Sequence, residues 1–65
     1  MEITDINTIN GIKKDLADGK RTVKAIAAEC RMFEGQTGCD EAKAVYARLS
    51  DCTNRKQFGA VFASL

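Results

Sequence analysis

Wound at about 100° per residue, the chain resolves into four apolar stripes separated by glycine-bearing or polar breaks. Over residues 5–18, Ile6, Ile9, Ile12 and Leu16 fall on one arc. Asp5 or Thr4 suits the cap of that helix, and Gly19 suits the left-handed residue that closes it. Asn10 and Gly11 are weak helix formers in its middle, so the pattern also allows a start near Thr8. The second stripe is Val23, Ile26, Ala27, Cys30 and Phe33, with Thr22 as cap and Gly35 as stop. Ala25, Ala28 and Met32 form another small apolar face, leaving Lys24, Glu29 and Arg31 for water. A helix apolar on two sides is expected at the centre of its bundle.

Residues 35–39 read as a loop in which Thr37 or Cys39 starts a third helix. Asp40 and Glu41 stand in its first turn, where carboxylates complement the helix dipole. Ala42, Val45, Tyr46, Leu49 and Cys52 run down its inner side. After a short turn capped by Thr53 or Asp51, Phe58, Val61, Phe62 and Leu65 repeat at i, i+3, i+4 and i+7. No stretch alternates with period two. The fold class expected is all-α, a small single-domain bundle of three to four short helices over residues 1–65. Phe33, Leu49, Phe58 and Phe62 are expected in its core.

A chain of 65 residues buries only roughly 60% of the surface its unfolded state exposes, and such chains often need a staple. Three cysteines cannot complete an intrachain disulfide set, which favours a reduced, cytoplasmic setting. There is no histidine and no C-x-x-C pair, so no metal or other cofactor is expected. The opening MEITDINTINGIKK lacks the basic and apolar regions of a signal peptide. No segment approaches the ~20 apolar residues of a membrane span.

Catalytic chemistry finds little to work with. Without histidine the commonest general base is missing. Cys30 and Cys52 lie on apolar stripes and read as small buried hydrophobes, while Cys39 sits at a helix start. Asp40 and Glu41 point about 100° apart on a helix and do not share a site. Gly35 and Gly38 lack the lysine and hydroxyl of a phosphate loop. The chain is expected not to be an enzyme and to have no small-molecule substrate.

Charge is weak in total but unevenly spread. The net charge is +1, yet residues 20–34 and 53–65 each carry +2 while residues 1–19 carry −2. The candidate interaction surface is the polar turn Asn54, Arg55, Lys56 and Gln57. Lys20, Arg21, Lys24 and Arg31 join it if the second and fourth helices share a face. Cations in a first turn oppose the dipole, so Arg55 and Lys56 carry a small stability cost that use on an anionic surface would explain. Their joint replacement by glutamate is expected to leave the fold intact or slightly stabilised.

The stretch YARLSDCTNRKQFGAVFASL is loosely similar to the support and reader helices of helix-turn-helix regulators. In that arrangement Ala47 lies where the helices cross, and Phe58 and Val61 hold the reader on the core. Asn54, Arg55 and Gln57 face base edges, while Lys56 meets phosphates. The other helix pair is excluded as a DNA reader by a long loop and by Asp40 and Glu41 in its leading turn. The expected function is a non-enzymatic protein-interaction or regulatory module, itself a homodimer, that binds a larger macromolecule. Very short, cofactor-free helical chains are frequent among accessory proteins of phages and other mobile elements, which act in this way. The alternative is a helix-turn-helix DNA-binding regulator using residues 40–65.

Overall fold

Four helices and no strand make up the computed structural model, which describes all of residues 1–65. They are α1 (Ile3–Asp18), α2 (Val23–Gln36), α3 (Asp40–Ser50) and α4 (Arg55–Ala63). The all-α class and the helix count agree with the periodicity. The Cα radius of gyration is 10.6 Å, close to the ~11 Å of a compact chain this long.

The helix ends follow local chemistry, though not always at the expected residue. α1 starts at Ile3, upstream of every expected start, and Glu2 holds the cap position without a side-chain hydrogen bond. Neither Thr4 nor Asp5 caps it, because the Asp5 carboxylate is turned toward Thr37 and Tyr46. Asn10 and Gly11 do not interrupt the helix, since Ile9 and Ile12 beside them are buried and hold it on the core. Gly19 closes α1 at φ 68° as expected. Its N–H reaches Leu16 O at 3.3 Å and the Lys20 N–H reaches Asp15 O at 3.0 Å, the paired bonds of a Schellman end.

Thr22 caps α2 as predicted, its Oγ1 accepting the Ala25 N–H at 3.1 Å. Gly35 does not stop the helix. α2 runs on to Gln36, and the link to α3 shrinks to Thr37–Cys39. Cys39 occupies the cap position of α3 with no side-chain bond. α4 is capped by Asn54 rather than Thr53 or Asp51, with Asn54 Oδ1 accepting the Gln57 N–H at 2.9 Å.

All four helices contribute to one core. The largest fully buried side chains are Tyr46, Phe58, Ile12, Ile26, Leu49 and Cys30. α2 and α3 approach most closely, as the small Ala27, Cys30 and Ala42 in this core allow. α1 stands farther off, and Ile9, Ile12 and Leu16 span the gap. Every member of the α3 stripe is buried.

Some expected core residues sit at its edge instead. Ile6 is 42% exposed; the buried side of α1 is the register Asp5, Ile9, Ile12 and Leu16. Phe33 and Phe62 are only half-buried, packed against the rim of the core, while Phe58 and Leu49 are fully inside. Leu65 lies beyond α4 and is exposed. The second apolar face of α2 also stays open, with Ala25, Ala28 and Met32 all exposed. Four short helices leave no element to cover it, so α2 is not apolar-packed on two sides. Glu29, expected in water, is half-buried against Arg21.

Candidate functional site

Three of the four residues in the polar turn are engaged within the molecule. Asn54 caps α4. Gln57 reaches back, its Oε1 accepting from the Thr53 N–H at 2.7 Å and from Thr53 Oγ1 at 3.0 Å. The Asn54 bond satisfies a donor that the first turn of a helix leaves bare, and Gln57 ties the residue before the cap to the same turn. Arg55 crosses to α1 and donates from Nη1 to Leu16 O. That carbonyl belongs to the last turn of α1, which has no basic residue of its own. Lys56 alone keeps an exposed side chain without a partner.

Arg55 therefore offsets its unfavourable place on α4 by serving the negative end of α1. This bond counts against the expectation that replacing both Arg55 and Lys56 by glutamate leaves the fold intact or slightly stabilised. Arg55→Glu is expected to destabilise by about 1–2 kcal/mol, from the lost hydrogen bond and a like charge at a helix end. Lys56→Glu is expected to be neutral or stabilising by about 0.3–1 kcal/mol. Urea unfolding of the two single variants checks this; equal effects would mean that the Arg55 bond to α1 carries no weight.

The other candidate cations also separate. Arg21 bridges α1 and α2, pairing with Asp15 at 3.0 Å and with Glu29. Its charge is matched inside the fold. Lys20 is exposed just after the α1 end. Lys24 and Arg31 come together elsewhere, along a groove of about 610 Å³ between α2 and the α3–α4 turn. Val23, Ala27, Ala28 and Cys52 give this groove its apolar lining, and Thr22, Ser50 and Thr53 its neutral polar atoms. Arg31 Nη2 lies 3.5 Å from Ser50 O, which rests the guanidinium across the rim. No carboxylate lines it. An apolar bed with two cations at its edge suits a ligand that is both apolar and anionic.

A second cleft, of about 320 Å³, opens where the α1 start meets the α2–α3 loop. Asp5 is its centre. Its Oδ2 accepts from Thr37 Oγ1 at 3.0 Å and its Oδ1 from the Tyr46 hydroxyl at 3.0 Å. Thr37 Oγ1 in turn accepts the Cys39 N–H at 3.2 Å. The Tyr46 ring packs against Phe33 at a centroid distance of 5.4 Å. Asp5 was expected as a helix cap, and this network is the site that periodicity alone missed. The signal was its spacing, since Asp5 continues the register of Ile9, Ile12 and Leu16 better than Ile6 does.

The titratable groups of the core all favour their neutral forms. Burial pushes the Tyr46 phenol up to about 12, helped by its hydrogen bond to Asp5. Burial pushes the Cys30 thiol up to about 11, with the Glu29 charge adding to it. The Cys52 thiol is raised too, by burial and then by Asp51. Thiols raised this way stay protonated near neutral pH and make poor nucleophiles. A folded state that holds these protons more tightly than the unfolded chain loses stability as pH rises through their titration. The stability these groups contribute is thus expected to be level up to about pH 9, the ordinary thiol value, and to be lost as pH climbs toward 11 and 12. Denaturation midpoints against pH check this, with phenolate absorbance of the single tyrosine as a second signal. A flat curve through pH 11 would contradict burial of these groups.

No three of the acidic and cysteine side chains cluster as metal ligands would, and no helix is long and apolar enough to cross a membrane. With the link reduced to Thr37–Cys39, loop length no longer excludes α2 and α3 as a DNA-reading pair. Asp40 and Glu41 stand in the first turn of α3, where they would meet phosphates with like charge. No protein-family model matches the chain, and no curated protein and no solved structure is significantly similar to it.

Proposed function

We propose that this chain is a non-enzymatic helical interaction module that acts by docking a larger protein in the groove between α2 and the α3–α4 turn. The observation that carries this reading is the composition of that groove. Val23, Ala27, Ala28 and Cys52 offer apolar surface, Lys24 and Arg31 offer positive charge, and no acid neutralises them. Such a surface discriminates by sign as well as by shape, the usual division of labour at protein interfaces. A partner segment with apolar side chains on one side and carboxylates beside them meets both requirements. A regulatory role, of the kind small accessory proteins play by occupying a surface, is the reading that this groove supports.

The DNA-binding alternative has less support. Asn54, Arg55 and Gln57 are committed to capping and to α1, and Lys56 is left as the only cation of the proposed reader's first turn. A reader helix needs its leading side chains free for base edges and phosphates.

The test is a titration of the isotopically labelled chain, followed by amide shifts. The probes are a synthetic amphipathic peptide of leucine and glutamate, and a random-sequence DNA duplex at low salt. The peptide is expected to move the amides of Val23–Arg31 and Ser50–Thr53, and Lys24→Glu with Arg31→Glu to abolish those shifts. Peptide shifts outside the groove, or DNA shifts centred on Lys56, would sink the proposal.

A further inference from the structure

We infer that the groove also accepts the start of α1 from a second copy of this chain, so that self-association competes with the larger partner for one surface. This rests on the reading of the groove as a docking site. Ile3 is 74% exposed, Ile6 42% and Met1 38%, three large apolar side chains gathered at one helix end. Between Met1 and Ile12 the chain has two acids, Glu2 and Asp5, and no lysine or arginine. Glu41 pairs with the Met1 ammonium at 3.3 Å, so Glu2 and Asp5 are the excess acids of this end. The α1 start is therefore apolar and acidic, which is the chemistry that Val23, Ala28, Lys24 and Arg31 select.

The match cannot be made within one molecule. The Asp5 bonds to Thr37 and Tyr46 hold the α1 start at the carboxyl end of α2. The groove runs from Thr22 to Arg31 and is completed by Ser50, Cys52 and Thr53, none of which lines the cleft around Asp5. Only a neighbouring copy can bring face to groove. Contact between two different faces closes into a dimer when two copies exchange it reciprocally and otherwise propagates. Opposite charges across it make the association weaken with salt.

Two variants, each with one face disabled, test the inference by sedimentation and light scattering. The wild type is expected to gain mass with concentration, and less so at high salt. Lys24→Glu with Arg31→Glu disables the groove, and Ile3→Ser with Ile6→Ser disables the α1 face. Each variant alone is expected to associate about tenfold more weakly, as charge reversal or loss of an apolar anchor at an interface does. Mixed together they are expected to form a one-to-one pair and nothing larger, because one intact groove then meets one intact face. Circular dichroism checks the fold, and Ile3→Ser alone is the milder variant at the most exposed position. Either variant associating like the wild type would overturn the inference, as would a mixture that stays monomeric. A wild type that is monomeric at every concentration overturns it too. If the acidic peptide still moves groove amides in that case, the docking site stands and only the self-contact falls.

Discussion

Phe58→Ala is expected to leave the chain largely unfolded at ambient temperature. Phe58 is fully buried, in the middle of a helix of only nine residues. Truncating a buried phenylalanine costs about 3–5 kcal/mol, from lost transfer energy and the cavity left behind. A domain of this length has a total stability of roughly 3–10 kcal/mol, so one such loss is most or all of it. The rest of the core, with Leu49 and Ile26 also fully buried, has little freedom to collapse into the space. Phe62→Ala is the internal control. Phe62 is half-buried and packs on the edge of the core, so its loss is expected to cost about 1–2 kcal/mol on area grounds. Thermal and urea unfolding of both variants checks the contrast. Equal destabilisation would mean that α4 meets the core through a different face.

Asp5→Ala is expected to cost about 2–4 kcal/mol, a large effect for an acid near a helix start. The Tyr46 hydroxyl is inside the protein, with the residue 1% exposed, and its partner is the Asp5 carboxylate. Removing the acceptor strands a buried donor, at about 1–3 kcal/mol, and the Thr37 hydroxyl loses its acceptor as well. Tyr46→Phe is expected to be milder, about 1 kcal/mol, since half-exposed Asp5 keeps Thr37 and gains water. The double variant should therefore cost clearly less than the two single losses combined, which a double-mutant cycle measures. Additive losses would show that the two residues do not act as a pair.

What could be read in advance follows from how far each signal reaches along the chain. The α3 stripe from Ala42 to Cys52 and the Thr22 and Gly19 helix ends depend on neighbours within a turn or two, and each appeared where the spacing put it. Gly35 failed as a stop because one glycine costs only about 1 kcal/mol, and the Thr37 N–H closes the last turn onto Phe33 O at 2.9 Å. Ile6 was misassigned through hydropathy, which prefers an isoleucine to an aspartate on a buried stripe. Asp5 takes that place because Tyr46 and Thr37 supply its hydrogen bonds from far along the chain. The same limit applies to the candidate surface. Residue type marked Arg21 and Arg55 as available cations, and only tertiary structure gives them Asp15, Glu29 and the Leu16 carbonyl as partners. Lys24 and Arg31 survive as surface groups because no such partner reaches them through a carboxylate.

The attachment of α1 also bears on how the chain assembles itself. Two of its polar anchors join residues 41 and 39 positions apart, Asp5 to Tyr46 and Leu16 to Arg55. α2 and α3, by contrast, meet across the short Thr37–Cys39 link. Closing a longer loop costs more chain entropy, and a contact bridging most of the sequence repays that cost only once the intervening part is in place. The α2–α3 hairpin is thus the natural nucleus, with α4 joining from its near end and α1 settling last. Reversed, the same order makes α1 the first element to lift away, giving its amides the fastest hydrogen exchange of the core helices. Release of α1 would free the Tyr46 hydroxyl from Asp5, so this small domain is expected to open on one side before it unfolds.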